Sequence, residues 1–224
     1  MLEFAGVSWT VAFTERRDGD LRVSSRMPGE LLETVQGRVL ELLEVATAAI
    51  PRQVHGAEVA IIERAARGYR VGIADGDGVA TALQSVAVGV HVADCLPIAI
   101  ASPTAVAMVH AGWRGLAAGV VGEGVAAVRA LGGGRALEAV MGPGAGGCCY
   151  ETGAELHSLF AGYRASRGRR LDLKEVARTQ LYEAGVGTVH DVGLCTICAP
   201  SQRFFSHRRD GAQTGRQGGF AWLR

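Results

Sequence analysis

The sequence predicts one α/β or α+β domain spanning residues 1–224, and three observations predict it. Strand-like and helix-like stretches are interleaved along the chain. No linker, repeat or low-complexity block divides it. With 224 residues, 48% of them hydrophobic and 20% charged, the chain is long enough to bury a sizeable core and has an ordinary globular composition.

The stretch VSWTVAF reads as a strand and RRDGDL after it as a turn. PGELLETVQGRVLELLEVATAA reads as a helix, because Leu31, Leu32, Val35, Val39, Leu42 and Leu43 recur at helical spacing and Pro28 suits a first turn. HGAEVAIIE is strand-like around Val59 and Ile61, and the Gly/Asp content of ADGDGVAT makes it a turn. SVAVGVHV alternates Val86, Val88, Val90 and Val92; PIAIAS resumes after the ADCLP break; TAVAMVH is a further strand ending at His110. AGWRG leads into a helix with an apolar stripe of Leu116, Val120, Val121, Val125 and Val128. EAVMGP is a short strand and GAELHSLFAGY is helical. DLKEVARTQLYEAGV is a helix that Asp172 can cap, with Glu175 in its first turn and Gly185 to end it. TVHDVG is a strand, and the tail FFSHRRDGAQTGRQGGFAWL runs from basic to Gly-rich to apolar.

A net charge of +1 gives no general attraction to nucleic acid or anionic membrane. The opening MLEFAGVSWT lacks the basic start and long apolar run of a signal peptide, and no apolar run reaches bilayer length, so the expected location is cytoplasmic. Five cysteines, an odd and sparse number, fit reduced thiols with local roles better than a disulfide framework.

Three metal-ligating residue types stand at strand-to-loop junctions: His55 in QVHG, Cys95 in ADCLP and His110 in VHAGWRG. Two imidazoles and a thiolate suit zinc, and three protein ligands leave a fourth position open for chemistry. No local spacing forces them together. Read singly, Cys95 is a small core residue and each histidine a hydrogen-bonded strand end.

The motifs QVHGAEV, DGDGVAT, ADCLPIAIA, VHAGWRG, GPGAGGCCYETG, LDLKEVARTQL and FFSHRRDGAQTGR occur in the order seen in the laccase-domain family, also called the multicopper polyphenol oxidase or YfiH family, and the chain resembles it from about residue 50 to the C-terminus. The resemblance implies an α+β layered sandwich, with mixed β-sheets flanked by helices, as a single laccase-domain-like unit over 1–224. It implies zinc held by His55, Cys95 and His110. It also implies phosphorolysis of purine nucleosides (adenosine, inosine, guanosine and methylthioadenosine), with adenosine deamination beside it. The partners are then a purine nucleoside and inorganic phosphate, with no nucleic acid or membrane. Departures from the family pattern are the loose FTERRDGDL, the absence of any Asn, Thr179 in the last long helix where an Asn is frequent, and His207 where a Tyr is common. They bear on substrate preference more than on the metal.

Arg114, following His110 at the entrance of a helix, is a candidate for phosphate or a ribose oxygen, with Gly112 allowing close backbone approach. The alternative is a surface arginine packed near Trp113. Ser206, Arg208 and Arg209, with Arg216, form a second basic group suited to phosphate, or equally a solvated charge run near the chain end. Asp77 can orient a ligating histidine from behind, or simply make an Asx turn. Cys195 and Cys198 form a CxxC without a second CxxC, which reads as structural, and adjacent Cys148 and Cys149 would point oppositely on a strand. The literal GxGxxG at Gly142–Gly147 lacks a following helix and is rejected as a dinucleotide motif.

Rival readings are a copper polyphenol oxidase (Cu2+ in place of Zn2+), a metal-free hydrolase with Cys95 as nucleophile and His110 as base, and a non-enzymatic binding domain. Six histidines with no His-x-His pair are few for a multicopper oxidase.

Overall fold

The structure is a computed structural model that describes residues 1–22, 29–134 and 136–224. Strands β1 (Leu2–Ala5) and β2 (Trp9–Phe13) pair antiparallel. Helix α1 (Gly29–Leu43) leads into β3 (Thr47–Arg52), β4 (Val59–Ile62), β5 (Gly68–Asp75) and β6 (Gly78–Thr81). Then come β7 (Val86–Val92), β8 (Leu96–Ala101) and β9 (Val106–Ala111), followed by α2 (Trp113–Ala118) and α3 (Val120–Ala130). The chain continues through β10 (Glu138–Met141), α4 (Ala154–Leu159), the short pair β11 (Ser166–Arg167) and β12 (Arg170–Leu171), α5 (Leu173–Glu183), β13 (Thr188–Asp191), α6 (His207–Asp210) and β14 (Gln217–Leu223).

Two mixed six-stranded sheets result, one in the order β1-β2-β14-β7-β3-β5 and the other β13-β10-β8-β9-β6-β4. They pack face to face. Val11 and Phe13 on β2, Val88, Val90 and Val92 on β7 and Ala221 on β14 meet Val79, Ala99, Met108 and Val140 from the second sheet. The alternation in SVAVGVHV is therefore the period of one buried face. The opposite face of the first sheet packs Ala48, Ile50 and Phe220 against Val39 and Leu43 of α1. The opposite face of the second packs Ile98, Ile100 and Val109 against Val121, Val125 and Val128 of α3 and Val176 and Leu181 of α5. The order of layers is helix, sheet, sheet, helices, the α+β sandwich expected. Each such aliphatic side chain taken fully out of water contributes about 1.5–3 kcal/mol.

Several boundaries differ from expectation for local reasons. The helix read through residue 49 stops at Leu43. Glu44 takes a left-handed φ of 54°, and its N–H and that of Val45 reach back to the carbonyls of Glu41 and Leu40 at 3.1 Å each. That is a Schellman end made without glycine, so the sequence gives no stop signal. Thr47–Ala49, read as the end of that helix, opens β3, where Ala48 and Ile50 are wholly buried. Pro28 and the side chains of Leu31 and Leu32 lie outside the described residues, while Leu42 is exposed. GVAT is not turn but β6, paired with β4 and β9; four residues that include Gly and Ala are too few to show a period. β1 and the largely exposed edge strand β5 lack an apolar run and were not anticipated. The helix after AGWRG is two, broken at Gly119 with φ 90°. Asp172 caps α5 as expected, accepting from the Glu175 N–H.

β3 and β7 run parallel, so their C-terminal ends share one rim of the first sheet. β7 then hands over to β8 of the second sheet through residues 93–95, and the end of β9 pairs with the start of β8 at Ala111 and Leu96. The crossing point between the sheets collects three chain segments at one place.

Candidate functional site

His55 follows β3 in a short turn and sits at a left-handed φ of 63°. Cys95 follows Asp94, itself at φ 86°, in the link between β7 and β8. Non-glycine residues rarely hold this backbone, and two of them at one site mean that surrounding contacts enforce it. For Asp94 those contacts are explicit. Its carboxylate accepts from Thr196 Oγ1 at 2.6 Å, the Arg208 N–H at 2.7 Å and Ser206 Oγ at 3.1 Å, and its carbonyl accepts from the Ala145 N–H at 2.7 Å. The acid in the ADC break thus fixes the turn, and the turn presents the thiol.

His110, 4% exposed, ends β9. Its Nδ1 lies 2.7 Å from Oδ1 of Asp77, which is fully buried. Asp77 Oδ2 accepts the N–H groups of Val54 and Gly56 at 3.1 and 2.6 Å, on either side of His55. One carboxylate therefore orients the ring of His110 and the loop of His55 together, leaving His110 Nε2 free. Ligand atoms of His55, Cys95 and His110 all lie within 4.8 Å of one another, and the two imidazole rings meet edge to face at 4.9 Å between centroids. Gly112 closes the floor: a Cβ there would come 2.9 Å from Cys95 Sγ.

The electrostatics suit a cation. Burial disfavours a charge on Cys95, yet His110 and His55 beside it bring its thiol down to about 6. Burial lowers His110, but Cys95 and Asp77 outweigh it and raise the imidazole to about 9. Burial raises Asp77, while His110 and the Gly56 and Val54 N–H groups hold it below the usual carboxylate range. Two nitrogens and a soft sulfur that favours ionisation form a set that could hold a metal ion with one face open.

That face opens on a cleft of about 940 Å³. Arg22, Arg114, Arg208 and Arg216 line it together with Trp113 and Tyr150. The Arg114 guanidinium lies 4.4 Å above the Trp113 ring, and Arg208 lies 5.0 Å from Tyr150 while also donating to the Glu151 carbonyl at 2.9 Å. Helix α2 behind Arg114 has six residues, so it adds little dipole of its own. Burial, and then the like charge of Arg22, lower Arg216, a pairing that an anion would relieve. Ser206 and Arg209 do not line the cleft. Ser206 Oγ caps α6 by accepting the Arg209 N–H at 3.2 Å, and the Arg209 guanidinium donates to the carbonyls of Thr196 and Phe204 at 2.8 and 2.6 Å and to Asp210. A basic run in sequence is here divided between the cleft and the scaffold.

Sequence reasoning missed Arg22 and His91. His91 and Gln53 exchange backbone and side-chain hydrogen bonds at 2.8 Å in each direction, tying β7 to the loop that carries His55. Its Nε2 lies 2.8 Å from the Tyr69 hydroxyl. Burial raises Tyr69 far above its ordinary range, so its hydroxyl keeps its proton and shares one hydrogen bond with the His91 ring. The only signal in the sequence was a histidine inside an alternating valine run.

The family model described as multi-copper polyphenol oxidoreductase laccase matches residues 30–224. A purine nucleoside phosphorylase of Xylella fastidiosa is 36% identical over 210 residues, covering 86% of this chain and 78% of the relative. One from Pseudomonas aeruginosa is 37% identical over 206 residues, covering 86% and 80%. Among solved structures, the hypothetical protein YfiH of Bacillus licheniformis superposes with a TM-score of 0.84 at 25% identity, covering 96% of this chain and 93% of that one. The Neisseria meningitidis protein NMB0706 gives 0.82 at 28% identity, covering 98% and 96%. With sandwich, motif order and relatives in agreement, the chain belongs to the multi-copper polyphenol oxidoreductase laccase family.

Proposed function

We propose that this chain, as one laccase-domain-like unit, is a cytoplasmic zinc-dependent purine nucleoside phosphorylase. Its substrates are adenosine, inosine, guanosine and methylthioadenosine with inorganic phosphate, and adenosine deamination is a side reaction. The observation that carries the reading is two imidazoles and one thiol converging at the floor of an arginine-lined cleft. The names of the relatives supply the reaction class.

His55, Cys95 and His110 would hold the ion, and a bound zinc supplies a Lewis acid and an acidified water. Asp77 keeps the His110 ring in the tautomer with Nε2 free. Arg216 and Arg22, with Arg208 and Arg114, hold the phosphate and set it against the ribose. Trp113 and Tyr150 offer flat faces to the purine. In the reaction a phosphate oxygen forms a bond to the anomeric carbon, the glycosidic C–N bond breaks, and its electron pair leaves with the base, which takes up a proton. The arginines neutralise the nucleophile while it is bound and stabilise the charge that separates.

Phosphate-dependent release of free purine from adenosine and inosine tests this reading, compared between the native chain and Cys95→Ala. Release in the native chain alone is expected; equal release from both sinks the mechanism. A second reading has a specific observation behind it: Cys95, His110 and Asp77 also lie in the order nucleophile, base, orienting acid. Chelation separates the two, since a metal-free hydrolase keeps its activity and the phosphorylase loses it. A copper oxidase would instead show dioxygen-dependent turnover after copper loading.

A further inference from the structure

Four of the five cysteines lie away from the cleft floor. Cys148 and Cys149 occupy a turn after β10, and Cys195 and Cys198 the loop between β13 and α6. Because residues 147–149 form a turn and not a strand, the two adjacent side chains do not point apart as strand alternation would require. Their sulfurs and those of the CxxC all lie within 4.8 Å of one another, with Cys148 and Cys198 at 3.6 Å. All four are free thiols. Four sulfurs about 2.3 Å from a common zinc would be separated by about 3.8 Å along each tetrahedral edge. The gathering is already close to that size, and too tight for a cluster with bridging sulfides of its own.

The backbone is arranged for sulfur as acceptor. The Gly146 N–H points at Cys195 Sγ at 3.3 Å, and the N–H groups of Ile197 and Cys198 also face that sulfur. Glycine at 146 keeps this approach roomy, since a Cβ would come a tight 3.2 Å from both Cys148 Sγ and Cys195 Cβ. The two loops are in register: Gly144 bridges Cys195, and the Thr196 N–H donates to the Gly144 carbonyl at 3.0 Å.

We propose that Cys148, Cys149, Cys195 and Cys198 hold one zinc ion in a closed, all-sulfur structural site, separate from the His55, Cys95 and His110 centre. With four protein ligands it has no position for a reactant. Its role is to staple the loop of residues 192–206, which carries Thr196 and Ser206, onto the loop of residues 142–150. Thr196 and Ser206 both hold Asp94, so the staple also steadies the turn that presents Cys95.

Metal analysis of the chain purified under reducing conditions tests the site. The native chain is expected to carry about two zinc ions, and Cys95→Ala, which retains all four loop sulfurs, about one. The double variant Cys195→Ser with Cys198→Ser should lose the second ion and keep the first. Cobalt(II) bound to Cys95→Ala should show the intense thiolate charge-transfer and tetrahedral d–d bands of a four-sulfur site. A Cys95→Ala chain that folds and holds no metal overturns the proposal, as does a Cys148–Cys198 disulfide in chain protected from oxidants. Iron in place of zinc overturns the assignment of the ion. Because Cys95→Ala leaves the cluster untouched, the result is readable even if the serine variants do not fold, and loss of phosphorolysis in that chain does not bear on it.

Discussion

Cys95 is delivered by a chain crossing between two packed sheets, with a buried carboxylate behind its partner histidine. Cys148, Cys149, Cys195 and Cys198 hang on loops, two of them exposed and two half-buried. The first group mixes nitrogen and sulfur and faces a cleft; the second is all sulfur and closes on itself. Both could hold the same ion, so the difference between a reactive and an inert metal lies in ligand count and placement. Three donors fixed from behind leave a face toward substrate, whereas four donors from two loops leave none. The regions are also joined mechanically, because Thr196 of the second donates to Asp94, the neighbour of Cys95.

The largest effect expected from this contrast is chemical. Cys95→Ala should remove the ion at the cleft floor and lower phosphorolysis by more than the 10²- to 10³-fold typical of losing one preorganised donor. Steady-state rates with metal content measured on the same sample check it. A variant that keeps its rate at half the metal content would put the chemistry elsewhere and dissolve the contrast.

Next in size is a purely structural loss. Cys195→Ser with Cys198→Ser should cost more than about 3 kcal/mol, since loss of a structural metal is among the changes that exceed the usual range of a point substitution. The urea midpoint reads it, before and after chelation. Chelation should shift the native midpoint by more than that of the variant, which has only the ion at His55, Cys95 and His110 to lose. If both midpoints shift equally, the loop cluster contributes nothing to folding.

Asp77→Asn should sit between structure and chemistry. It retains the shape but loses the charge that orients His110, and changes of this kind cost about 10- to 100-fold in metal affinity or activity. Competition with a chelator measures it. Because Asp77 also holds the Val54 and Gly56 N–H groups, a loss confined to stability would mark it as a loop anchor only.

How far these regions were legible in the sequence follows from the range of the signals. Val86, Val88, Val90 and Val92 announce a strand because a buried face repeats every second residue. Leu43 and Glu44 hide a helix end because the Schellman turn there is made without glycine. His55, Cys95 and His110 could be singled out by junction and motif, but their meeting depends on how two sheets cross, which no local pattern encodes. Arg208 and Arg209 are neighbours in sequence and opposite in use, one in the cleft and one bonded to carbonyls of the loop. The four-cysteine gathering was lost to two local readings, that a CxxC without a second CxxC is structural and that residues 148 and 149 lie on a strand. A turn there reverses the conclusion.

The smallest effect separates the two regions by proton and not by metal. His91 lies beside the cleft, and no histidine belongs to the loop cluster. Burial, and then the nearby positive charge of Arg216, bring His91 down to about 4 from its ordinary 6.5. The unfolded chain therefore binds a proton that the folded chain refuses. Above about pH 6.5 the residue is neutral in both states and full stability is present. As the pH falls from there toward 4 that stability is lost, and the loss levels off once the folded ring also protonates. Because His91 is only half-buried, the loss should be on the order of 1 kcal/mol. His91→Gln removes the titrating group, so its stability should decline less steeply across that window in denaturant titrations at a series of pH values. A native slope matched by the variant would assign the acid sensitivity to other groups, among them the loop thiolates, whose hold on a metal itself weakens as they protonate.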